Sequence, residues 1–218
     1  MKVNKETSHK VAEYLLQIKA VKLNAKKPFQ WSSGLLSPIY CDNRIILSYP
    51  SLRTYIRQQF VDTINENFGK ADVIAGVATG GIAHGVLVAQ ELGLPFVYVR
   101  PEPKKHGLSN AIEGYIEKGQ SVIVIEDLIS TGGSSLKAID HLKDAGCSIK
   151  GMISIFTYNM PIAQENFKKN KLQVLSLSNF DDLINIALEK EYITASDYQQ
   201  LKEWQKDPEK WAKQFDGK

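Results

Sequence analysis

Two adjacent carboxylates, Glu126 and Asp127, follow a run of β-branched residues and precede a turn of small residues. Carboxylates accept hydrogen bonds, so such a pair can hold the two neighbouring hydroxyls of a ribose. The turn, Thr131-Gly132-Gly133-Ser134, opens a helical pattern and supplies hydroxyls and unhindered backbone N–H groups. The start of a helix attracts anions and suits a terminal phosphate. The order of the two parts therefore predicts a site for a ribose 5-phosphate.

Rival motifs fit this segment less well. A strand-to-helix turn whose glycines serve only backbone freedom does not account for the two adjacent acids. The chain has no Gly-x-x-x-x-Gly-Lys-Ser/Thr, which argues against a P-loop nucleotidase. Another glycine-rich turn, Ala78-Thr79-Gly80-Gly81, lies earlier in the chain and follows an apolar run, but it lacks the Gly-x-Gly-x-x-Gly spacing of a dinucleotide site.

A polar segment from Arg100 to Asn110 carries Lys104, Lys105 and His106 after another apolar run. Breaking a bond at the anomeric carbon of an activated ribose leaves growing negative charge on the departing phosphates, which cations stabilise. A loop that closes over the site also excludes water. Most such segments are solvated surface charge, but the neighbouring ribose-phosphate motif favours a catalytic loop here.

These residues follow short apolar runs that alternate with helical patterns. The predicted strands are 72–76, 95–99, 121–125, 149–156 and 172–175, and the helices between them are 80–92 and 134–145. Continuous apolar strands separated by helices predict an α/β fold with a mostly parallel sheet that helices cover on both faces. Ligands bind such sheets at the carboxyl ends of the strands, where the motifs above lie.

The two ends of the chain have different patterns. A helix is predicted from about Lys5 to Ile18, followed by an irregular stretch rich in Pro, Ser, Gly and aromatic residues. From Asp181 onward the pattern predicts two polar helices that carry Trp204 and Trp211 for packing. We therefore expect an N-terminal helix and hood subdomain at 1–45, a core at 46–178 and C-terminal helices packed on the core at 179–218.

The composition is that of one globular protein of 218 residues, with 43% hydrophobic and 23% charged residues. The net charge of +3 is spread along the chain, which argues against a nucleic-acid partner. Two cysteines are too few for a disulfide framework, and no apolar stretch is long enough to cross a membrane. We expect a cytoplasmic protein, in which His9, His84 and His141 are structural or solvated.

With these motifs the chain resembles the type I phosphoribosyltransferases, and among them the orotate phosphoribosyltransferases. The resemblance implies that phosphoribosyl pyrophosphate is bound by Glu126, Asp127, Leu128, Ile129, Ser130, Thr131, Gly132, Gly133 and Ser134. It also implies that Ala78, Thr79, Gly80 and Gly81 cradle the pyrophosphate, and that Arg100, Lys104 and His106 contact it and assist its departure. Mg²⁺ would be held mainly through the substrate, with no direct protein ligand, and the basic loop would reach the neighbouring site of a homodimer.

The choice of base depends on the segment from Phe29 to Arg44, which is similar to the hood of orotate phosphoribosyltransferases. The resemblance gives Ser130 a contact with orotate, and Arg44 is a candidate for its negative charge. Ser32 and Pro101 replace lysines of some relatives, and Tyr158 lies near the place of an orotate-binding arginine. Two alternatives stay open: a phosphoribosyltransferase for a purine or uracil, and a regulator that binds phosphoribosyl pyrophosphate without chemistry.

Overall fold

A computed structural model of the chain describes residues 3–31, 33–102 and 111–215. The helices are α1 Lys5–Gln17, α2 Pro50–Asn67, α3 Gly80–Leu92, α4 Gly133–Asp144, α5 Pro161–Lys169, α6 Phe180–Glu189, α7 Ala195–Lys206 and α8 Pro208–Ala212. The strands are β1 Val21–Leu23, β2 Phe29–Gln30, β3 Leu36–Ser37, β4 Ile39–Cys41, β5 Val73–Val77, β6 Phe96–Val99, β7 Ile112–Glu113, β8 Ser121–Ile129, β9 Ser148–Thr157 and β10 Val174–Asn179. Short 3₁₀ helices occupy Asn43–Ser48 and Lys213–Phe215.

Six strands form the central sheet in the order β10-β9-β8-β5-β6-β7. All neighbours are parallel except β7, which pairs antiparallel with β6. Strand β5 is buried along its whole length, as expected of a strand covered on both faces. The predicted α/β fold with a mostly parallel sheet is confirmed.

Alternate residues of β8 point into two apolar layers. Ile123 and Ile125 pack in one layer with side chains of α1, α2, α3 and α6. Val122 and Val124 pack in the other, with side chains of α4 and α5. The sheet is therefore covered on both faces, and β8 lies between the two layers.

Several element boundaries differ from the sequence-based prediction. Strand β8 continues beyond Ile125 to Ile129, so the two acids lie within the strand and not after it. Strand β10 begins at Val174 instead of residue 172 and continues through Ser176 and Ser178 to Asn179, because Ser176 bonds Ser154 on β9 (2.6 Å) and Ser178 bonds the Ser8 carbonyl (2.8 Å).

Helical elements were also missed. Helix α2 was not predicted, although its buried residues recur at helical spacing. The C-terminal region forms three helices (α6, α7 and α8) and not two, because Asp207 caps α8 by accepting from Lys210 N–H (3.0 Å) and separates it from α7. Helix α3 occupies its predicted range of 80–92.

The N-terminal hood consists of two small antiparallel pairs, β1 with β4 and β2 with β3. Trp31, which follows β2, stacks on Tyr158 with ring centroids 5.1 Å apart and meets Trp204 edge-on at 5.6 Å. The Trp31 indole N–H also donates to the Ile39 carbonyl at 3.2 Å. An aromatic cluster from the hood, the core and α7 thus fastens the hood to the sheet. In the described ranges no helix combines the length and the apolarity needed to cross a bilayer.

Candidate active site

The two acids of the central motif face opposite sides of the sheet, because successive side chains of a strand alternate. Glu126 points toward α4, where its Oε2 accepts a hydrogen bond from the Ser135 hydroxyl at 2.8 Å. Asp127 points toward α3, and its carboxyl group lies directly over Gly80. The adjacent carboxylates therefore have different partners and different environments.

Glu126 is almost enclosed, with 5% of its surface exposed. Its Oε1 accepts from the Asp127 backbone N–H at 3.0 Å, so both of its carboxyl oxygens have partners inside the protein. Burial and the neighbouring Asp127 charge raise the pKa of Glu126 well above its usual range. Glu126 is thereby fixed in one orientation beside the turn from Thr131 to Ser134.

Asp127 is half-buried at the mouth of the site. A methyl carbon built on Gly80 would lie 2.1 Å from Asp127 Cγ and 2.2 and 2.3 Å from its oxygens. Burial raises the pKa of Asp127, and the charge of Arg44 acts in the opposite direction. The glycine at position 80 therefore allows the carboxylate to approach the first glycine-rich turn closely.

The first glycine-rich turn connects β5 to α3 and contains a cis peptide bond between Ala78 and Thr79. Close backbone contacts hold it: a methyl carbon on Gly81 would meet the Ile125 carbonyl oxygen at 2.4 Å, and one on Gly76 would meet the Gly81 oxygen at 2.7 Å. The turn is therefore pressed against the carboxyl end of β8, next to Asp127.

The second turn leads from β8 into α4. Gly132 has a positive φ of 79°, and the Phe167 ring on α5 lies 2.5 Å from where its Cβ would be. Gly133 begins the helix and has open space around it, since a methyl carbon there would meet nothing nearer than 3.9 Å. Thr131 and Ser134 are exposed. The first N–H groups of α4 have no intrahelical acceptor, so this turn can receive an anion.

The remaining residues of the second turn differ in exposure. Ser130 is half-buried at the end of β8, as is Leu128, which packs against the core layer of Ile123. Ile129 is buried, and its carbonyl accepts from the Tyr158 N–H at 3.0 Å. The role of these three residues in substrate binding remains a prediction.

Arg100 lies at the carboxyl end of β6, where its Nε approaches Glu113 Oε1 at 3.5 Å. Its backbone N–H donates to the Ala111 carbonyl at 2.8 Å. Glu102 pairs with Lys137 on α4 at 2.5 Å. Lys104, His106 and Ser32 lie outside the described residues, so their predicted roles remain predictions.

The candidate orotate-binding residues of the hood have intramolecular partners. Arg44 donates from Nε and Nη2 to the two oxygens of Asp42, at 2.7 and 2.9 Å, and its side chain is 59% exposed. This pairing lowers the pKa of Asp42. Tyr158 is only 2% exposed and packs within the aromatic cluster.

Two residues of the site were not predicted. Ser135, which directly follows the turn from Thr131 to Ser134, donates a hydrogen bond to Glu126. Asn43, between the hood and the core, donates from Nδ2 to the Asp127 carbonyl at 2.6 Å. Strand alternation and the position of Ser135 in the first turn of α4 could have suggested the former. No sequence signal links residues 43 and 127.

In residues 3–31, 33–102 and 111–215, no three His, Cys, Asp or Glu side chains are grouped so as to hold a metal ion. Among the described residues of the two turns and the end of β8, Asp127 offers the accessible carboxylate, since both oxygens of Glu126 have partners inside the protein. Mg²⁺ is commonly bound through one or two carboxylates together with substrate phosphates. This donor set fits a metal that arrives with a phosphorylated substrate.

Comparison with known proteins agrees with this geometry. The phosphoribosyl transferase domain family matches residues 50–189. The orotate phosphoribosyltransferase of Listeria innocua is 51% identical over 203 residues, which cover 93% of this chain and 97% of that protein. The enzyme of that name from Phocaeicola vulgatus is 52% identical over 200 residues, covering 92% and 94%. The crystal structure of the Aeropyrum pernix orotate phosphoribosyltransferase has a TM-score of 0.72 and 27% identity, covering 84% of this chain and 99% of that one.

Proposed function

The chain belongs to the orotate phosphoribosyltransferases of the phosphoribosyl transferase family, and we propose that it transfers ribose 5-phosphate from phosphoribosyl pyrophosphate to orotate. The products are orotidine 5′-monophosphate and pyrophosphate, a step of pyrimidine (UMP) biosynthesis. The observation that carries this proposal is the position of Asp127, which lies between the two glycine-rich turns at the carboxyl ends of strands β5 and β8.

The substrate spans both turns in this proposal. Asp127 accepts hydrogen bonds from the ribose hydroxyls, and Glu126 supports it through the Asp127 N–H. The 5-phosphate binds the exposed start of α4, from Thr131 to Ser134, while the pyrophosphate lies on the turn from Ala78 to Gly81. Preformed N–H groups and cations act best where charge develops, which is on the leaving pyrophosphate.

The reaction exchanges two bonds at the anomeric carbon. The bond to pyrophosphate breaks with its electron pair leaving on the phosphate oxygen. A ring nitrogen of orotate forms the new bond and gives up its proton to solvent or to the leaving pyrophosphate. Lys104 and His106 stabilise or protonate the leaving group, Arg100 assists with its positive charge, and Ser130 and Arg44 hold the base. Arg44 would have to share or leave Asp42 to reach orotate, since that carboxylate now occupies two of its donors.

We assign Mg²⁺ to the substrate, which would hold it mainly through its phosphates, rather than to a cage of protein ligands. When bound, the ion neutralises charge on the pyrophosphate and makes it a better leaving group. We also propose a homodimer in which the basic loop reaches the neighbouring site, and a cytoplasmic location, which suits two buried cysteines that are not joined in a disulfide. The hood at 1–45, core at 46–178 and C-terminal helices at 179–218 are our working division of the chain.

The first experiment follows the ultraviolet absorbance of orotate after protein, Mg²⁺ and phosphoribosyl pyrophosphate are mixed. We expect a fall that requires the protein and Mg²⁺ and is matched by release of pyrophosphate. Uracil and the purine bases run in parallel test the alternative base. Binding of phosphoribosyl pyrophosphate without consumption of any base would contradict the proposal and favour the regulator.

A further inference from the structure

Asn43 is completely buried where the hood joins the core, at the start of the 3₁₀ helix Asn43–Ser48. Its Nδ2 donates to the Asp127 carbonyl at 2.6 Å, and its Oδ1 accepts from the Cys41 thiol at 3.2 Å. Burying an amide is costly unless its polar atoms have partners, and here both ends have one. The contact with Asp127 joins residues 84 positions apart in the chain.

The sheet does not orient the Asp127 peptide by itself. The pairing of β8 with β5 ends at Ile125, opposite Gly76. In the pairing with β9, Glu126 lies opposite Ser154 and Leu128 opposite Phe156, and the register gives no partner to Asp127. At Asp127, side chains provide the backbone hydrogen bonds instead of a neighbouring strand. Glu126 accepts from the Asp127 N–H at 3.0 Å, and Asn43 donates to the Asp127 carbonyl.

The position of this peptide matters because the Asp127 carboxylate has little freedom. It lies against the Cα of Gly80, so a small rotation of the peptide would move the carboxylate either into the turn or away from the ribose hydroxyls. Glu126, which accepts from the Asp127 N–H, is held in place by Ser135 on α4. Asn43, which donates to the Asp127 carbonyl, is held in place by Cys41 of the hood.

We propose that Asn43 is a positioning residue that fixes the Asp127 peptide and connects the hood to the ribose-binding carboxylate. This inference rests on the proposed function, because it assumes that Asp127 binds phosphoribosyl pyrophosphate. Asn43 does not touch the substrate in this proposal. Its effect therefore reaches the reaction only through Asp127.

The test compares Asn43→Leu, which keeps the size but removes the donor, with Asn43→Ser, whose hydroxyl is too short to reach the carbonyl. Asn67→Leu is the matched control, because Asn67 Nδ2 also donates to a backbone carbonyl, that of Thr63 at 2.9 Å, but on α2. Titration calorimetry with phosphoribosyl pyrophosphate and Mg²⁺, without orotate, gives the Kd. Circular dichroism and thermal unfolding report the folded fraction at the temperature of the titration.

We expect both Asn43 variants to bind phosphoribosyl pyrophosphate about tenfold more weakly, as for the loss of one hydrogen bond that orients a ligand group. KM for phosphoribosyl pyrophosphate should rise in parallel, and Asn67→Leu should match the wild type. A lower Tm with an unchanged Kd per folded molecule would reduce Asn43 to a packing role and overturn the inference. If Asn43→Leu does not fold, Asn43→Ser alone decides between these outcomes.

Binding without orotate separates this inference from the proposed function. If the wild type binds phosphoribosyl pyrophosphate but consumes no orotate, the choice of base is wrong and the Asn43 comparison still stands. If the wild type does not bind phosphoribosyl pyrophosphate, both the proposed function and the role of Asn43 are overturned.

Discussion

Replacing Gly80 by alanine tests whether the close approach of Asp127 to the first glycine-rich turn is required for substrate binding. The added carbon would lie 2.1 to 2.3 Å from three atoms of the Asp127 carboxyl group, far inside van der Waals contact. Asp127 has a short side chain, so it can escape only by rotating away from the position where the ribose hydroxyls bind. An off-rotamer side chain costs roughly 0.5–1.5 kcal/mol, so we expect the fold to survive.

The loss of binding should be larger than the loss of stability. A hydrogen bond to a charged group contributes about 1.5–3 kcal/mol, and about 1.4 kcal/mol corresponds to tenfold. Gly80→Ala should therefore lower kcat/KM for phosphoribosyl pyrophosphate roughly 10- to 100-fold. Steady-state kinetics with orotate absorbance as the signal measure this change.

A double-mutant cycle shows whether the effect passes through Asp127. In an Asp127→Ala background the collision is absent, so Gly80→Ala should cost almost nothing further in activity or in Tm. Gly133→Ala is the matched control for stability, because Gly133 also begins a helix but has open space around it. A Gly80→Ala enzyme within twofold of the wild type, or an equal loss in both backgrounds, would refute the reasoning.

Three further predictions concern charge. Burial raises the pKa of Glu126 above 4.5, so its contribution to the free energy of unfolding is favourable at low pH and is lost as the pH rises. Glu126→Gln should therefore have a higher Tm than the wild type at pH 8 and the same Tm near pH 4, although its activity falls. Burial lowers the pKa of His84 from 6.5 to about 4, so its contribution to the free energy of unfolding is lost as the pH falls through that range. In denaturant titrations, His84→Leu should lose about 3 kcal/mol less stability than the wild type on acidification. Equal losses of stability in the two proteins would contradict this. Lys104→Ala should lower kcat/KM by more than about tenfold, as expected of a group that stabilises the leaving pyrophosphate, and a clearly smaller loss would remove the loop from catalysis.

The sequence was most informative where burial is continuous. The run from Val122 to Ile125 is apolar because the strand is covered on both faces, and that pattern needs no knowledge of distant partners. The missed helix α2 also had a readable signal, since Leu52, Ile56 and Phe60 recur every four residues. The rest of the helix surface is polar, so the segment has no continuous apolar run.

The parts that could not be predicted depend on contacts between distant segments. The bond from Asn43 to Asp127 exists only because the hood folds against the end of β8. The pairing of Arg44 with Asp42 competes with the binding of an anion, and sequence alone gives no means of ranking the two. Strand β10 was displaced in the prediction because Ser176 and Ser178 obtain hydrogen bonds from partners that an apolar pattern does not reveal.

The aromatic cluster that fastens the hood gives the protein a built-in optical reporter. The chain contains three tryptophans, and two of them, Trp31 and Trp204, are in contact across the boundary between the hood and α7, with Tyr158 between hood and sheet. The third, Trp211, packs on Phe215 with ring centroids 5.0 Å apart, and its helix α8 also contacts strand β3 of the hood. Separation of the hood would expose Trp31 to water and shift its emission to longer wavelength. The docking of the hood can therefore be followed by intrinsic fluorescence in the unlabelled protein.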